Sequence, residues 1–464
     1  MSTLLNYSTL AAALARAMLA GDANEDAMTA RCARMLGRRW RWLRPLMRRY
    51  GVWASLRGEV YSLGPKRREV TEWLRNDAGF AGAWGKYRGQ ISIAQWLTES
   101  PGMSPLAKTR EWKLPAIATE GALAEWLRLT QGELEWFADL KGLTSKQGLA
   151  SKHGGDERLR HYRTTVLAKA GGGARLIEAP KQRLKILQRQ ILREILEAAP
   201  VHGAAHGFCK GRSTKTFAAG HVGKRVVLRM DLADFFASIS SGRVQGFFRA
   251  AGYPERVADL LGGICTVATP GDVWIAARKH GDREVLLGLR EVYGRRHLPQ
   301  GAPSSPALAN LCAYRIDCRL SGLAKAADAE YTRYADDLAF SGDAEFERQV
   351  ERFAAQAAAI AMEEGFRVQH RKTRVMRQGV RQHLAGLVTN ARVNVVRADY
   401  DRLKATLHNC VRYGPEGQNR AGPGGEKHGD FRLHLAGRVG FVESIHPEKG
   451  RRLREIFERI RWEG

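Results

Sequence analysis

The feature that most constrains this chain is a pair of adjacent acids, Asp336 and Asp337, which close the sequence Tyr-Ala-Asp-Asp at residues 334–337. Polar and apolar residues roughly alternate on both sides, over residues 331–333 and 338–342, and this pattern predicts two short strands with one buried face. The acids therefore fall where the chain must turn. Adjacent carboxylates at the tip of a hairpin can hold divalent cations that carry phosphates, although a solvated acidic turn has the same local pattern.

The charge balance narrows the choice of partner. Lysine and arginine total 75 against 48 acids, a net charge of +27 on 464 residues. This excess favours a polyanion, and nucleic acid is the best candidate. A membrane partner is not expected, because no stretch of about 18 apolar residues could span a bilayer and the Ala-rich opening lacks the basic cluster of a signal peptide.

The cysteines argue against zinc and disulfides. Six occur, and none forms a Cys-x-x-Cys pair. Reduced thiols fit a cytoplasmic location. Any metal would then be bound through oxygen ligands, which points to magnesium or manganese.

Arginine and tryptophan are concentrated near the N-terminus. No acid lies between Asp26 and Glu59, and nine of the eleven tryptophans precede residue 140. Arginines interleaved with Trp40 and Trp42 could grip phosphates and stack on unpaired bases, so we expect RNA contact here. The alternative is a basic helical face whose tryptophans are core. The arginines expected to touch RNA are Arg38, Arg39, Arg41 and Arg44.

Downstream, the pattern changes from helical to mixed. Residues 121–129 and 132–140 predict two short helices, and residues 163–395 alternate strand-like runs with amphipathic helices, as α+β or α/β domains do. Residues 413–427 are rich in Gly and Pro and predict a loop, and residues 428–464 predict helices. The candidate core positions of this last segment are Leu433, Leu435, Val439, Phe441, Ile445, Leu453 and Ile456.

A third carboxylate, Asp231, follows residues 225–230, a short apolar-rich run that predicts a mostly buried strand. Nucleotidyl transfer needs carboxylates for two metal ions, cations for the triphosphate and a binding surface for base and sugar. Asp231 with Asp336 and Asp337 is a candidate cage for two Mg²⁺ ions. For Asp231 alone, a helix cap is the alternative, and Asp234 would suit that cap equally well.

Between these acids, residues 298–306 predict a turn that leads into a helix. Gly301 would let another backbone approach closely, and Gln300 could bond to a base or a sugar. Read alone, the Pro-Gln-Gly of this segment is only a turn.

The order of these segments resembles a bacterial retron-type reverse transcriptase. Residues 200–203 and 298–303 are most similar to the myxobacterial branch, which also carries a long N-terminal extension. The resemblance covers about residues 115–464. Its blocks are two fingers motifs (173–192 and 201–213), the first catalytic motif (231–236), the nucleotide-pocket motif (298–306), the Tyr-x-Asp-Asp box (334–337), a further palm motif (365–373) and a primer grip (384–388).

The resemblance implies an α+β, right-hand polymerase fold of fingers, palm and thumb with a helical N-terminal extension. The expected segments are 1–110 (basic, Trp-rich extension), 111–165 (helical lead-in), 166–395 (fingers and palm) and 396–464 (helical thumb). It further implies an RNA-directed DNA polymerase that primes on a 2′-hydroxyl of its own structured noncoding RNA and makes branched, RNA-linked single-stranded DNA. Such systems resemble antiphage defence modules, often with a separate effector protein.

The resemblance also assigns roles to residues. Asp231, Asp336 and Asp337 would bind the two Mg²⁺ ions, with the Leu232 carbonyl as a further ligand. The nucleotide-binding residues would be Arg175 as a clamp on the triphosphate, Phe236 as the ring that excludes a ribose 2′-hydroxyl, Gln300, Gly301, and Lys372 as a source of charge or a proton for pyrophosphate. His221 is expected to be packed or in contact with RNA, without a chemical role.

Two positions depart from the retron pattern. Phe217 stands where Asn is usual, and Leu384-Ala385-Gly386 stands where Val-Thr-Gly is usual. Both elements are associated with the cognate RNA, so polymerase activity is better supported than a standard retron RNA partner. The alternatives are a group II intron-like or other bacterial reverse transcriptase and, in another class, a non-catalytic RNA-binding scaffold with a polymerase fold.

Overall fold

The computed structural model describes residues 5–20, 24–58, 65, 67–96, 103, 105–106, 109–143, 159–168, 174–277, 290–419 and 427–462. Its contacts divide the chain into two compact units. The first unit comprises Met1–Ala199 and Ile239–Ser305, and the second comprises Pro200–Ser238 and Pro306–Gly464.

Helices dominate the described residues, and strands enter after residue 160. The helices up to residue 199 are α1 (Tyr7–Leu19), α2 (Glu25–Met35), α3 (Leu43–Gly58), α4 (Arg67–Asn76), α5 (Ala78–Tyr87), α6 (Glu120–Trp126), α7 (Gln131–Ala138) and α8 (Gln182–Glu194). The later helices are α9 (Thr214–Ala219), α10 (Phe235–Ser238), α11 (Ser241–Ala250), α12 (Glu255–Cys265), α13 (Gly271–Ala277), α14 (Ser305–Cys312), α15 (Tyr314–Ala326), α16 (Ala344–Glu363), α17 (Arg397–Tyr413), α18 (Phe431–Ile445) and α19 (Pro447–Glu458). The strands are β1 (Tyr162–Ala168), β2 (Ala174–Pro180), β3 (Val226–Ala233), β4 (Glu330–Tyr334), β5 (Asp337–Gly342), β6 (Arg367–Val368), β7 (Arg374–Arg377), β8 (His383–Leu384), β9 (Leu387–Val388) and β10 (Asn394–Val395).

Helices α1–α5 pack around a hydrophobic cluster of their own in the first unit. Asn6 and Asn24 cap α1 and α2, each accepting a hydrogen bond from the backbone N–H three residues on. Leu10, Leu14 and Phe80 are fully buried in this cluster. Its aromatic content explains why so many tryptophans precede residue 140.

The two short helices predicted around residues 121–140 are confirmed as α6 and α7. Helix α7 begins with a capping box, in which the Thr130 side chain and the Glu133 side chain each satisfy the other's backbone N–H. Leu123 and Leu134 are fully buried, as the apolar spacing predicts.

In the first unit, β1 and β2 form an antiparallel hairpin whose register runs from Tyr162 opposite Pro180 to Ala168 opposite Ala174. This is the expected place of the first fingers motif. Gly173, the first residue of that motif, lies outside the described residues.

The main sheet of the second unit has the order β4-β5-β3-β6, with β7 also paired to β3. The strand predicted before Asp231 is confirmed as β3, and Val226, Val227 and Leu228 in it are fully buried. Helix α16 contacts this sheet, and its Phe353 ring lies 5.0 Å from the Phe340 ring of β5. The sheet is thus the buried frame on which the acids sit.

A three-stranded sheet in the order β10-β9-β8 and helices α17–α19 form a second core in the same unit. The core positions predicted for residues 428–464 are confirmed at Leu435, Val439, Ile445 and Leu453 and at the partly buried Ile456. They are wrong at Leu433 and Phe441, which are 68% and 46% exposed. Helix α18 has apolar residues on most of its faces, so spacing alone does not mark the buried one.

The loop predicted over residues 413–427 is described only in part. Tyr413 ends α17, Gly414 takes a positive φ of 83°, and Glu416–Gln418 form a short 3₁₀ helix. Residues 420–426 of that prediction lie outside the described residues. Within the parts of the chain given above, no helix combines the length and hydropathy needed to cross a bilayer.

Candidate active site

Strand pairing in the second unit brings the three acids together. In the antiparallel register of β3 and β5, Asp231 lies directly opposite Asp337. The Leu232 amide donates a hydrogen bond of 2.9 Å to the carbonyl of Asp336. Ala335 and Asp336 form the two-residue turn between β4 and β5, and Ala335 alone of the two has a positive φ, 54°, as in a type II′ turn. The hairpin predicted at residues 331–342 is confirmed.

Each of the two facing carboxylates is bound by a cation. The Lys372 ammonium lies 3.0 Å from both carboxylate oxygens of Asp231. The Arg229 guanidinium donates from Nε and Nη2 to a single oxygen of Asp337, Oδ1, at 2.9 and 2.8 Å. Lys372 is more than half exposed, whereas the Asp231 side chain is almost buried. The acids are therefore held in place by neighbouring positive charge.

Burial and neighbouring negative charge disfavour the ionised forms of Asp336 and Asp337. Burial, followed by the charges of Asp231 and Asp337, raises the pKa of Asp336 to about 6. Burial also raises the pKa of Asp337, although Arg229 opposes that change. Additional positive charge at this corner of the sheet would relieve the repulsion.

The donor chemistry of the corner suits magnesium, because carboxylate and carbonyl oxygens are the ligands that hard cations prefer. Within the described residues, however, no three His, Cys, Asp or Glu side chains converge closely enough to hold an ion in this conformation. Lys372 and Arg229 occupy carboxylate oxygens that a metal would use. The carboxylates therefore suit magnesium chemically. Magnesium binding would require Lys372 and Arg229 to share or to leave the carboxylate oxygens that they now contact.

A buried ion pair that the sequence did not reveal supports the turn. Arg333 is fully buried two residues before Ala335, and its guanidinium bonds Asp317 at 2.7 and 2.6 Å. It also donates to the carbonyl of Ala335 and to the side chain of Asn310. Arg333 thus joins the turn to helices α14 and α15. The sequence signal for this ion pair was a charged residue, Arg333, at a strand position next to the acids. The sequence does not indicate its partner, because Asp317 lies on a separate helix.

The other nucleotide-binding candidates divide between the two units. Phe236 and Lys372 belong to the second unit with the acids, whereas Arg175, Gln300 and Gly301 belong to the first. Arg175 is exposed on β2, and the Glu178 amide of the same strand donates a 2.8 Å hydrogen bond to the Gln300 carbonyl.

The glycine of the Gln300-Gly301 segment has a packing reason. Gly301 has a φ of 137°, and a Cβ there would lie 2.9 Å from the Glu178 carbonyl oxygen. His297 ties the same segment to β2, because its Nε2 lies 2.9 Å from a carboxylate oxygen of the buried Glu178. The close backbone approach expected of the glycine is therefore observed, against the strand that carries Arg175.

His221 does not fit the expected contact with RNA. The side chain is fully buried, and its ring nitrogens lie 2.6 Å from Ser341 Oγ and 2.7 Å from Thr332 Oγ1. Burial lowers its pKa to about 4. The histidine therefore bridges strands β4 and β5 as part of the core, and both nitrogens are occupied.

The two departures from the retron pattern have structural roles. Phe217 is buried, with its ring 5.8 Å from that of Tyr334. Ala385 and Gly386, with φ values of 47° and 79°, form a two-residue turn between β8 and β9 of the type I′ pattern. Leu384, which precedes them, is buried in the core.

The arginine window separates into paired and unpaired members. Arg44 and Arg48 bond Glu25, and Arg49 bonds Asp77. Arg38, Arg39 and Arg41 are exposed, and in the described parts of the chain no acid forms an ion pair with them. If Arg44 contacts RNA as expected, the RNA must displace its acidic partner, Glu25.

The expected stacking of bases on Trp40 and Trp42 is wrong for Trp40 and not supported for Trp42. Trp40 is buried in the cluster of α1–α5, Trp42 packs against that cluster, and the Arg38 guanidinium lies over the Trp40 ring at 3.6 Å. Trp96, which is half exposed, is a ring of this region that a base could reach.

The geometry now defines a class of protein. Two adjacent acids on a hairpin opposite a third acid on a buried strand form an arrangement of carboxylates that suits nucleotidyl transfer with two metal ions. The family of "Reverse transcriptase (RNA-dependent DNA polymerase)" matches residues 167–395. The protein is a reverse transcriptase, an RNA-directed DNA polymerase with the expected α+β polymerase fold and a helical N-terminal region. Enzymes of this family generally act with divalent metal ions.

Curated relatives narrow the class. The Retron Mx65 reverse transcriptase of Myxococcus xanthus is 40% identical over 347 residues, which cover 75% of this chain and 73% of that protein. The Retron Mx162 reverse transcriptase of the same organism is 36% identical, covering 73% of this chain and 66% of the relative. The Retron Ec86 reverse transcriptase of Escherichia coli is 30% identical, covering 63% of this chain and 79% of that protein. This chain belongs to the retron reverse transcriptases, and its expected similarity to the myxobacterial branch is confirmed.

A solved structure of foamy viral protease-reverse transcriptase in complex with double-stranded DNA is also similar to this chain. The identity is 13% and the TM-score is 0.31, over 65% of this chain and 43% of the viral one. A likeness at that score adds nothing to the family assignment.

Proposed function

We propose that the chain uses the Asp231–Asp336–Asp337 corner to copy its own structured noncoding RNA into single-stranded DNA that stays joined to the RNA. The observation that carries the proposal is the register that sets Asp231 opposite Asp337 at the end of a buried strand. The RNA would serve as template and, through one 2′-hydroxyl, as primer. Deoxynucleoside triphosphates are the substrates.

Asp231, Asp336 and Asp337 would hold two magnesium ions, with the Leu232 carbonyl as a further ligand. When bound, magnesium supplies activation of the attacking hydroxyl and charge stabilisation of the leaving pyrophosphate. The chain's own residues orient these parts: the buried Arg333 fixes the turn, and β3 fixes Asp231. Lys372, bound to Asp231 through a flexible and half-exposed side chain, would move to the pyrophosphate as the nucleotide enters.

We assign the selection of deoxynucleotides over ribonucleotides, and the binding of the nucleotide, to four further residues. Phe236 would exclude a ribose 2′-hydroxyl by bulk, and Arg175 would clamp the triphosphate. Gln300 and Gly301 would contact the base and sugar. The segments 1–110, 111–165, 166–395 and 396–464 would act as RNA-binding extension, helical lead-in, fingers and palm, and thumb.

Replacing Asp336 and Asp337 by Asn tests this proposal. On an RNA template with a DNA primer, magnesium and deoxynucleotides, we expect synthesis to fall by about a thousandfold or more, because several kcal/mol of charge stabilisation are lost. RNA binding should persist. The matched control is Asp399→Asn with Asp401→Asn, which removes two exposed acids from α17. Unchanged synthesis in the Asp336/Asp337 double variant would overturn the catalytic assignment, and a wild-type chain that binds RNA without synthesis would indicate a scaffold.

Membership of the retron family also supports a proposal about the role of the protein in the cell. The chain would act in the cytoplasm, where its six free cysteines stay reduced, in antiphage defence with a separate effector protein. Expressing the gene with its upstream DNA should yield DNA that ribonuclease shortens without destroying. The Asp336/Asp337 double variant should lose both this DNA and any protection against phage.

A further inference from the structure

A half-exposed phenylalanine ring lies beside the proposed gate for deoxynucleotides. Phe208 is 49% exposed, and its ring centroid lies 6.0 Å from that of Phe236 and 6.4 Å from that of Tyr334. All three residues belong to the second unit. Isolated exposed apolar residues are common on proteins, but this ring contacts two residues of the site.

The backbone holds Phe208 in place at a conformational cost. Its φ is 59°, in the left-handed region that bulky L-residues avoid. Such conformations persist where the surroundings enforce them, and they concentrate at functional sites. The Phe208 ring is therefore presented by the fold and is not the chance outcome of a free loop.

The contacts that enforce this conformation come from the β4–β5 hairpin and from helix α14. The His206 amide donates a 2.7 Å hydrogen bond to the Arg333 carbonyl, and Asn310 donates a 2.8 Å hydrogen bond to the Gly207 carbonyl. Gly207 packs so closely on the turn that a Cβ there would lie 2.6 Å from the Ala335 nitrogen. Residues 206–208 are thus fixed to the turn that bears Asp336.

The Phe236 ring contacts two other rings. One is the buried Phe235, whose centroid is 5.7 Å away, and the other is Phe208. Exclusion of a 2′-hydroxyl by bulk requires that the excluding ring cannot rotate away, and Phe208 contacts it from the exposed end of this cluster. We propose that Phe208 is a positioning residue that holds Phe236 against the sugar and so sets the preference for deoxynucleotides over ribonucleotides.

This inference rests on the proposed polymerase function. Its test uses Phe208→Asn and Phe208→Gly, because both residues accept a positive φ and keep the loop while removing the ring. The measurement is kcat/KM for a deoxynucleotide and for the ribonucleotide of the same base on an RNA template. We expect the ratio of the two to fall about tenfold in both variants, with the deoxynucleotide kcat within about threefold of wild type. Phe208→Tyr keeps the ring and should keep the ratio.

Two comparisons separate positioning from general damage. In a Phe236→Ala background, Phe208→Asn should produce no further fall, because it acts through a ring that is already absent. Tyr314→Asn removes an exposed ring of the same unit that packs on His202, and it should leave the ratio unchanged. An unchanged ratio in both Phe208 variants, or additive losses with Phe236→Ala, would overturn the inference. A wild-type chain that incorporates neither nucleotide would instead overturn the proposed function.

Discussion

Cations around the β4–β5 turn and cations of the N-terminal region differ in how completely they are paired with acids. At the turn, Arg229 and Lys372 are bound to Asp337 and Asp231 at 2.8 and 3.0 Å. In the segment between helices α2 and α3, Arg38, Arg39 and Arg41 are exposed, and no acid among the residues that the structure describes forms an ion pair with them. In the N-terminal region, ion pairs engage Arg44, Arg48 and Arg49 of α3 but leave these three arginines open to solvent.

The difference indicates what each set of charges is for. Breaking a buried pair is costly, so Arg333, which is bound to the buried Asp317, maintains the structure of the turn. An exposed and unpaired arginine adds little to stability and remains available to a polyanion. The comparison predicts that substitutions at the turn change protein stability and nucleotide incorporation. Substitutions of the N-terminal arginines should change RNA affinity alone.

The largest effect should come from breaking the Asp317–Arg333 pair. Asp317→Ala leaves a fully buried guanidinium without its counter-ion, which should lower the free energy of unfolding of the second unit by about 3–5 kcal/mol. The measurement is urea unfolding followed by fluorescence. Asp401→Ala, which removes an exposed partner of Arg397, should cost less than about 0.5 kcal/mol.

A double variant sharpens this result. Asp317→Leu with Arg333→Met removes both charges and should be less destabilising than Asp317→Ala alone, because no isolated charge is left buried. If Asp317→Ala costs as little as Asp401→Ala, the buried pair is not what stabilises the turn.

The next effect concerns pH and His221. The unfolded chain binds the imidazole proton near pH 6.5, whereas burial lowers the folded pKa to about 4. Between these values the unfolded state binds more protons, so stability contributed by the neutral ring is full above pH 6.5 and is lost as the pH falls toward 4. The loss is on the order of 3 kcal/mol.

His221→Gln should abolish this part of the pH dependence. The variant should be less stable than wild type at pH 7.5, and the difference in free energy of unfolding should shrink by about 2–3 kcal/mol at pH 4. RNA affinity at pH 7.5 should be unchanged. A difference in stability that is the same at both pH values would show that the ring titrates normally in the folded chain.

The sequence predicted that Asp231, Asp336 and Asp337 come together, because the patterns that place them are local. Alternating residues around Asp336 and Asp337 specify a hairpin, and a run of apolar residues before Asp231 specifies a buried strand. Neither inference needs knowledge of distant contacts. The order of motifs along the chain then gave the family.

The errors lie where tertiary contacts decide. Arg333 is buried because Asp317 on a helix neutralises it, and no spacing rule links the two residues. Trp40 alternates with arginines in the same way whether its ring is core or exposed, and the packing of α1–α5 makes it core. Leu433 and Phe441 lie on a helix that is apolar on most faces, so burial depends on where its neighbours pack.

A smaller effect is expected at Lys372, which is bound to the carboxylate of Asp231 that we propose as a metal ligand. In Lys372→Gln the carboxylate loses a charge at 3.0 Å, so Mn²⁺ should bind about fivefold more tightly in the absence of nucleotide. Titration followed by electron paramagnetic resonance measures this directly, apart from activity. Lys224→Gln, which removes a surface partner of Asp343, is the control and should change nothing. Equal Mn²⁺ affinity in Lys372→Gln and wild type would mean that Lys372 and the metal do not share Asp231.

The smallest effect per residue is expected in the N-terminal region, where two triple variants each remove three positive charges. Replacing the unpaired set (Arg38, Arg39 and Arg41) by Gln should reduce the salt dependence of binding to an RNA hairpin with a single-stranded tail by about two to three units of slope. Replacing the paired set (Arg44, Arg48 and Arg49) should reduce it by less than about one unit, because their charge is already engaged by Glu25 and Asp77. The loss at 0.15 M salt should stay below about 1 kcal/mol per arginine. Equal slopes for the two variants would show that ion pairing does not decide which arginines contact RNA. Slopes unchanged from wild type in both variants would show that these arginines are not part of the RNA-binding surface.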